Sequence, residues 1–517
     1  MFGLGPTMSR VLSDLPTLGR PQTAKHPMRA LIGVLIAVAL VRLPFLSEPR
    51  WSSDDGFFTA VASAISRGTP LYAGVYDNSP PGIYWLYALL LKLGDGQHHV
   101  VVQLASLVAV LACCLLTFRI GLRVMSSGAA LLAAALAGLA LSLPTLDGDL
   151  LNVELAALPF FLGALLLAHS GRWPGLLFAG LLFSAAVMIR PSFALDGLAL
   201  LVPLLSAPHR RWRLLLVGAG TVLGGSAVLA GLFFQGSLGA FIGIELPSAH
   251  AYLIWSNAGS LWALWVRLAI LGLAGLVAWR RMQGQSGRLL VVWLPATLAG
   301  SSLTPRGLSH YCHEAIPALA LALAGLLFWL GLRRLAAPVG LVLLTAAAEA
   351  LLWLPGVETA YLHSYPPPSP MLHNFAYSQL PGYYANWLSF QLGRTSQTRY
   401  RAFFPGDGAH DAGEAVWLRT LARSSSQRLT VLGDRPWLYV ESGLLPATRY
   451  IATNSAFWRV RGAPQTLAHA LRSGCAGIVV YASGPGNWST DLRAGGYREQ
   501  PGAPWPTYVR PTAPGCG

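Results

Sequence analysis

Two adjacent aspartates, Asp54 and Asp55, open the stretch DDGFFTAVASAISRGTPLYAGVYDNSPPGIYW, and a third acid, Asp77, precedes a Pro-Pro pair within it. Short acidic side chains before a helix satisfy orphan N–H groups and complement the helix dipole. Capping uses one member of the pair, and the other is then free for general-base chemistry on a hydroxyl. A second acidic group, Asp147, Asp149 and Glu154, lies in LPTLDGDLLNVELAAL. Asp and Asn are ordinary turn residues, but Glu154 heads an apolar helix, where an ionisable residue is a functional candidate. These three could contact an acceptor or offer oxygen ligands to a divalent cation, although no ligand spacing specifies a metal. A third group, Arg306, His310, Tyr311, His313 and Glu314, occupies TPRGLSHYCHEAIPALALALAG. Its bases and aromatic ring suit an interfacial anchor or, alternatively, a lipid-linked phosphate at headgroup height. His310 and His313 could share a helix face, but the spacing fits no zinc pattern. Arg190, next to Pro191, is a similar phosphate candidate, whereas Lys92 has the alternative of snorkelling.

These residues are carried by a chain of 517 residues with 54% hydrophobic and only 11% charged. Soluble domains carry about 25% charged residues, so the composition is that of a membrane protein. The predicted fold class is mainly α: a polytopic transmembrane bundle of eleven spans at 30–46, 99–118, 126–143, 154–169, 174–189, 192–207, 214–234, 261–279, 289–304, 314–332 and 335–355. Segments of that length match a hydrocarbon core of roughly 30 Å. With the N-terminus cytoplasmic, fifteen Arg and Lys fall on inner segments and five (Arg50, Arg67, Lys92, Arg190 and Arg306) on outer ones. This is a positive-inside bias. Ten of the thirteen acids before residue 350 then lie on or just inside the outer face, which places the expected chemistry there.

The expected organisation is a basic cytoplasmic N-terminus (1–29), a transmembrane catalytic domain (30–355) and a small extracytoplasmic α/β domain (356–517). The run at 30–46 reads as a retained first span rather than a cleaved signal. In the long outer loop at 47–98, Phe58, Val61, Ala62 and Ile65 share a face opposite Ser63, Ser66 and Arg67, which predicts a helix flat on the membrane. PPGIYWLYALLLKL is too short to cross and is expected to re-enter the interface. RLTVLG and GIVVYA read as strands, with PQTLAHALRSG as a helix before the second. Cys475 and Cys516 could pair in an oxidising compartment. The basic residues come in short clusters between apolar runs, so topology explains them and no nucleic-acid partner is implied.

The acidic pair after the first span, the flat helix, and the turn carrying Tyr76, Asp77, Asn78, Pro80 and Pro81 resemble the first outer loop of a known family. It comprises GT-C type membrane glycosyltransferases that use polyprenyl-phosphate sugars, bacterial relatives of protein O-mannosyltransferases and of the aminoarabinose transferase acting on lipid A. HYCHEAIPALALALAG, with Tyr311 and His313, is similar to a later outer loop of that family, and VLGDRPWLYVESGLLPATRY to a stretch of its extracytoplasmic tails. The resemblance implies a sugar moved from a polyprenyl-phosphate donor to a hydroxyl of a lipid, glycan or protein at the outer face of the cytoplasmic membrane. It also implies an inverting transfer with the first-loop aspartate as base, Asp55 matching better and Asp54 standing beside it. Members often carry Lys where this chain has Ser79, which shifts the expected phosphate contact to Arg306, His310 and Arg190. A divalent cation is the one cofactor left open. The other class with many spans, a transporter or flippase, predicts an internal repeat and mid-bilayer charges; Asp196 and Arg267 are candidates for the latter, without a repeat.

Overall fold

The first loop and the spans around it set the frame of the computed structural model. It describes residues 27–95, 98–257, 261–281, 285–304, 308–332, 336–352, 375–406, 408–422, 427–454, 457–474, 476–482 and 486–510. Arg306, Cys475, Cys516, residues 1–26 and the linker at 353–374 lie outside the described residues. The helices are α1 (Pro27–Val41), α2 (Ser53–Ser66), α3 (Pro81–Gly94), α4 (His98–Val124), α5 (Ser127–Ala140), α6 (Val153–Ala168) and α7 (Trp173–Ile189). They continue as α8 (Phe193–Ser206), α9 (Arg210–Phe234), α10 (Leu246–Ser256), α11 (Trp262–Arg281), α12 (Gln285–Ser301), α13 (Ile316–Trp329) and α14 (Ala336–Leu352).

Each of the eleven expected spans coincides with a helix. Among the described residues, three segments, Pro27–Ser47, His99–Val124 and Arg210–Phe234, are long and apolar enough to cross a membrane by length and composition. The other eight helices run 14 to 20 residues. Glycines set how closely two of them pack. A Cβ on Gly180 of α7 would stand 2.1 Å from the Val217 carbonyl oxygen, and one on Gly220 of α9 would stand 2.1 Å from that of Leu177. Small residues of this kind let helix backbones approach where lipid gives no hydrophobic drive to associate.

The first loop departs from the flat-helix expectation. From Asp55 to Ala62 every residue of α2 is buried, as is Ala64. The cause is a second cover: α3 packs on one side, and Pro436 with Trp437 of the C-terminal region packs on Gly56. The face expected at the membrane interface is therefore inside protein. Helix α3 buries Ile83, Tyr84, Tyr87 and Leu91 and exposes the apolar side chains Leu89 and Leu93 on its outer face.

Residues 428–509 form a five-stranded sheet of order β2-β1-β3-β5-β4, from β1 (Arg428–Leu432), β2 (Leu445–Pro446), β3 (Ile478–Tyr481), β4 (Arg498–Gln500) and β5 (Thr507–Val509). The first three run parallel, with Leu429 opposite Ile478, and β5 pairs antiparallel with β3 and β4. Both strands and the helix expected here are present, the helix as α15 (Ala463–Ser473), whose buried Ala463, Leu467, Ala470 and Leu471 recur at helical spacing. The region is tied to the first loop by the Arg50–Glu441 ion pair at 3.1 Å and by Trp437 Nε1 donating to the Ser52 carbonyl at 2.7 Å.

Gly180→Val forces α7 and α9 apart, and overpacking of this kind costs about 1–3 kcal/mol. We expect a lower melting temperature in detergent for Gly180→Val, and none of that loss for Gly218→Val on α9, where a Cβ meets nothing within 4 Å.

Candidate active site

The connections 42–52, 141–152, 190–192 and 308–315 meet at one end of the bundle, and two buried ion pairs hold them. Asn152 caps α6, its Oδ1 accepting from Leu155 N at 3.0 Å, which sets Glu154 in the first turn. Glu154 is fully buried, with Oε1 3.0 Å from an Arg190 guanidinium nitrogen at the end of α7. Arg190 also lies over the Tyr311 ring at 4.7 Å and donates from Nε to Ser192 Oγ at 3.2 Å. His310 Nδ1 stands 3.0 Å from Asp147 Oδ2. Burial disfavours the imidazolium, but the nearby Glu154 and the Asp147 hydrogen bond outweigh it and raise the His310 pKa to about 9. His313, equally buried, goes the other way: desolvation and repulsion from His310 lower it to about 3. The Tyr252 and Tyr311 hydroxyls are 3.4 Å apart, bringing α10 to the same place. Arg190, His310 and the two tyrosines thus form a cationic, hydroxyl-bearing wall able to take an anion.

The first loop forms the facing acidic wall. Tyr87 donates its hydroxyl to Asp55 Oδ1 at 2.7 Å, and Tyr84 donates to Asp77 Oδ2 at 2.8 Å. Both tyrosines lie on α3 three residues apart, so one helix face presents a hydroxyl to each acid. Burial pushes both carboxyls up to about 6, and the tyrosine hydrogen bonds oppose that rise in each. The Pro-Pro-Gly turn explains how α3 reaches this position. Pro81 starts the helix, and Gly82 lies so close to the end of α7 that a Cβ would stand 2.6 Å from the Met188 carbonyl oxygen. The turn therefore locks the acidic wall against the helix end that carries Arg190. Asp54 is less buried than Asp55, and its charge reaches Asp55, Asp77 and Tyr87 on one side and His310 on the other.

The three acids expected to act together at 147–154 take different partners. Asp147 serves His310, Glu154 serves Arg190, and Asp149 lies beside Glu48 and Arg42. Among the described residues no three His, Cys, Asp or Glu are grouped to hold a metal ion. Lys92 is exposed in the last turn of α3, roughly 15 Å along the helix from Pro81. Tyr76 and Asp77 face the C-terminal region at a shared cavity, while Asn78, Pro80 and Pro81 shape the turn. Asp196 accepts from Trp293 Nε1 at 2.9 Å, and Arg267 donates to the Ser302 carbonyl at 3.2 Å, so both charges have structural partners.

Sequence reasoning passed over Arg42, Glu48, Tyr84 and Tyr87. Arg42 is buried and donates to the carbonyls of Leu141, at 3.2 Å, and of Gly148, and to Ser106 Oγ at 2.6 Å, pinning the 141–150 turn. Its signal was present, since an arginine ending an apolar span needs partners. Burial raises Glu48 to about 7 beside Asp149, and Tyr383 and Trp51 donate to its carboxyl. Tyr84 and Tyr87 looked like members of an apolar helix.

Residues 78–234 match the family model described as dolichyl-phosphate-mannose-protein mannosyltransferase. The fold is similar to that of ArnT from Cupriavidus metallidurans bound to undecaprenyl phosphate: TM-score 0.55, 14% identity, 96% of this chain and 100% of that one. For the same protein in the apo state the values are 0.52, 15%, 92% and 97%. No curated protein matches the sequence. The resemblance to GT-C glycosyltransferases read from the sequence therefore stands, locally by family and along the chain by fold.

The Asp55 shift has a thermodynamic consequence. Its folded pKa of about 6 lies above the ordinary 3.8, so the folded state holds its proton more tightly. Its carboxylate therefore lowers stability, fully above about pH 6 and not at all well below the ordinary value. Asp55→Asn keeps an acceptor for Tyr87 and removes a cost on the order of 2–3 kcal/mol. We expect the variant to melt higher than the parent at pH 7.5, with the difference shrinking toward pH 4; equal melting at both would contradict the burial account.

Proposed function

We propose that this protein is a membrane glycosyltransferase that moves a sugar from a polyprenyl-phosphate donor to an acceptor hydroxyl at the outer face of the cytoplasmic membrane. The carrying observation is that the first-loop acids and the Arg190–His310 wall converge, with Asp54 within electrostatic reach of both. The family match over 78–234 and the ArnT-like fold support the same reading, since ArnT was solved with undecaprenyl phosphate.

In this reading the donor phosphate is held against Arg190, His310 and Tyr311. An arginine has five donors, so Arg190 can keep Glu154 and still bind a phosphate oxygen. One first-loop aspartate takes the acceptor proton. The acceptor oxygen attacks the anomeric carbon from the face opposite the phosphate, the bond from that carbon to the phosphate oxygen breaks, and its electron pair leaves with the lipid phosphate. Inversion follows from this single displacement. Cations fixed beside the leaving phosphate stabilise charge that develops only during transfer. The two aspartates divide the work. Asp54 faces both walls and is placed to take the proton, while Asp55, anchored by Tyr87, holds the first turn of α2 in register. This differs from the preference for Asp55 that the sequence resemblance implies.

The test is turnover by protein in nanodiscs with a panel of radiolabelled polyprenyl-phosphate sugars, following release of lipid phosphate. Removal of a general base costs roughly 10²- to 10⁴-fold in rate. Asp54→Asn is expected to lose kcat on that scale with donor KM little changed, and Arg190→Gln to raise donor KM. Full turnover by Asp54→Asn with loss in Asp55→Asn would return the base to Asp55. Failure of every lipid on the panel to bind would contradict the transferase reading.

A further inference from the structure

Pro191 ends α7 and sets the backbone of the arginine before it. A residue preceding proline is kept out of the helical region, and Arg190 accordingly takes φ −140° and ψ 107°. Two residues further on, the buried Ser192 opens α8. Arg190 Nε donates to Ser192 Oγ at 3.2 Å, and Ser192 Oγ in turn donates to Glu314 Oε2 at 2.5 Å. Glu314 is buried at the end of the 309–314 turn, which also carries His310 and Tyr311. Room for its carboxyl comes from α12, where a Cβ on Gly300 would stand 2.1 Å from Glu314 Oε1. The transfer step uses neither Ser192 nor Glu314.

We propose that Ser192 and Glu314 are positioning residues for the donor phosphate, a relay that holds the Arg190 guanidinium and the His310–Tyr311 turn together as one anion-binding wall. The inference rests on the transferase reading and adds to it the groups that orient its phosphate contact. A hydroxyl has one proton to give and lone pairs to accept with. Ser192 commits its proton to Glu314, so a lone pair faces Arg190 and the hydroxyl cannot turn its own proton against the guanidinium. With Nε engaged there and Nη2 3.0 Å from Glu154, two edges of the planar group are fixed, and the Tyr311 ring lies against its face at 4.7 Å. The other N–H donors stay available to an anion, and the Arg190 side chain keeps 17% of its surface exposed. An arginine held in place before the lipid arrives loses less rotamer freedom on binding it. Because the second bond joins residue 192 to residue 314, it also fixes where Arg190 stands relative to His310.

The experiment is a double-mutant cycle on the full chain in nanodiscs, read as the Kd for undecaprenyl phosphate from tryptophan fluorescence, with melting temperature as the check on folding. Ser192→Ala and Glu314→Met are each expected to weaken binding roughly fivefold or more in the parent, and by less than about twofold in the Arg190→Gln background. Ser192→Thr, which keeps a hydroxyl, and Glu314→Gln, which keeps an acceptor, should recover part of the loss. A second readout needs no lipid. In protein carrying isotope-labelled arginine, the NMR signal of Arg190 Nε–H is identified by its absence in Arg190→Gln. It is expected to exchange with water at least about tenfold faster in Ser192→Ala and Glu314→Met than in the parent, as for a hydrogen bond lost. Equal losses of affinity in both backgrounds would mean a general structural role and overturn the proposal, as would parent-like binding by Ser192→Ala or an Nε–H exchange rate indifferent to both substitutions. Should Ser192→Ala not fold, the Glu314 variants complete the same cycle. A parent that binds no undecaprenyl phosphate would instead strike the transferase reading, while the Nε–H exchange would still decide whether the relay holds Arg190.

Discussion

Burying ionised groups at one end of an apolar bundle is costly unless each finds a partner, and the mouth of this protein is organised by that constraint. Glu154 can sit fully buried at the head of α6 only because Arg190 closes the neighbouring helix 3.0 Å away. Asp147 is satisfied by His310 in the same manner, and Arg42 by the carbonyls of the turn between them. The pairs fix the relative positions of α6, α7 and the 309–314 turn. They also gather Arg190 and His310 at the same end of the bundle.

Against that wall the first loop brings acids held by neutral donors. Tyrosines bonded to Asp55 and Asp77 steady the carboxylates without neutralising them, and burial raises both toward neutrality. Such sites trade stability for reactivity. The C-terminal region covers the first turn of α2 through Pro436 and Trp437.

Much of this was legible in the residues. The acidic pair, the Pro-Pro turn, Arg190 and the His-Tyr segment stood out because ionisable residues are rare in an apolar chain, and the structure gathers most of them. The strands at 428–432 and 478–481 followed from short apolar runs between turn signals. What escaped depended on contacts across long stretches of sequence. Nothing near Gly56 reveals that Pro436 will cover it, so α2 read as an interfacial helix. The spacing of Asp147, Asp149 and Glu154 suggests one cluster, yet it does not reveal that each takes a partner from a different part of the chain. Tyr84 and Tyr87 were invisible as site residues because an aromatic on an apolar helix face ordinarily packs, and only its hydroxyl partner tells otherwise.

The central claim is that a lipid-linked phosphate is held between the Arg190–His310 wall and the first-loop acids. The most direct measurement is a cryo-EM structure in nanodiscs with undecaprenyl phosphate. The account predicts phosphate density within roughly 3–4 Å of Arg190 and His310 donors, on the side facing Asp54. A resolved lipid whose phosphate lies elsewhere, at Lys92 or against the exposed face of α9, would contradict it.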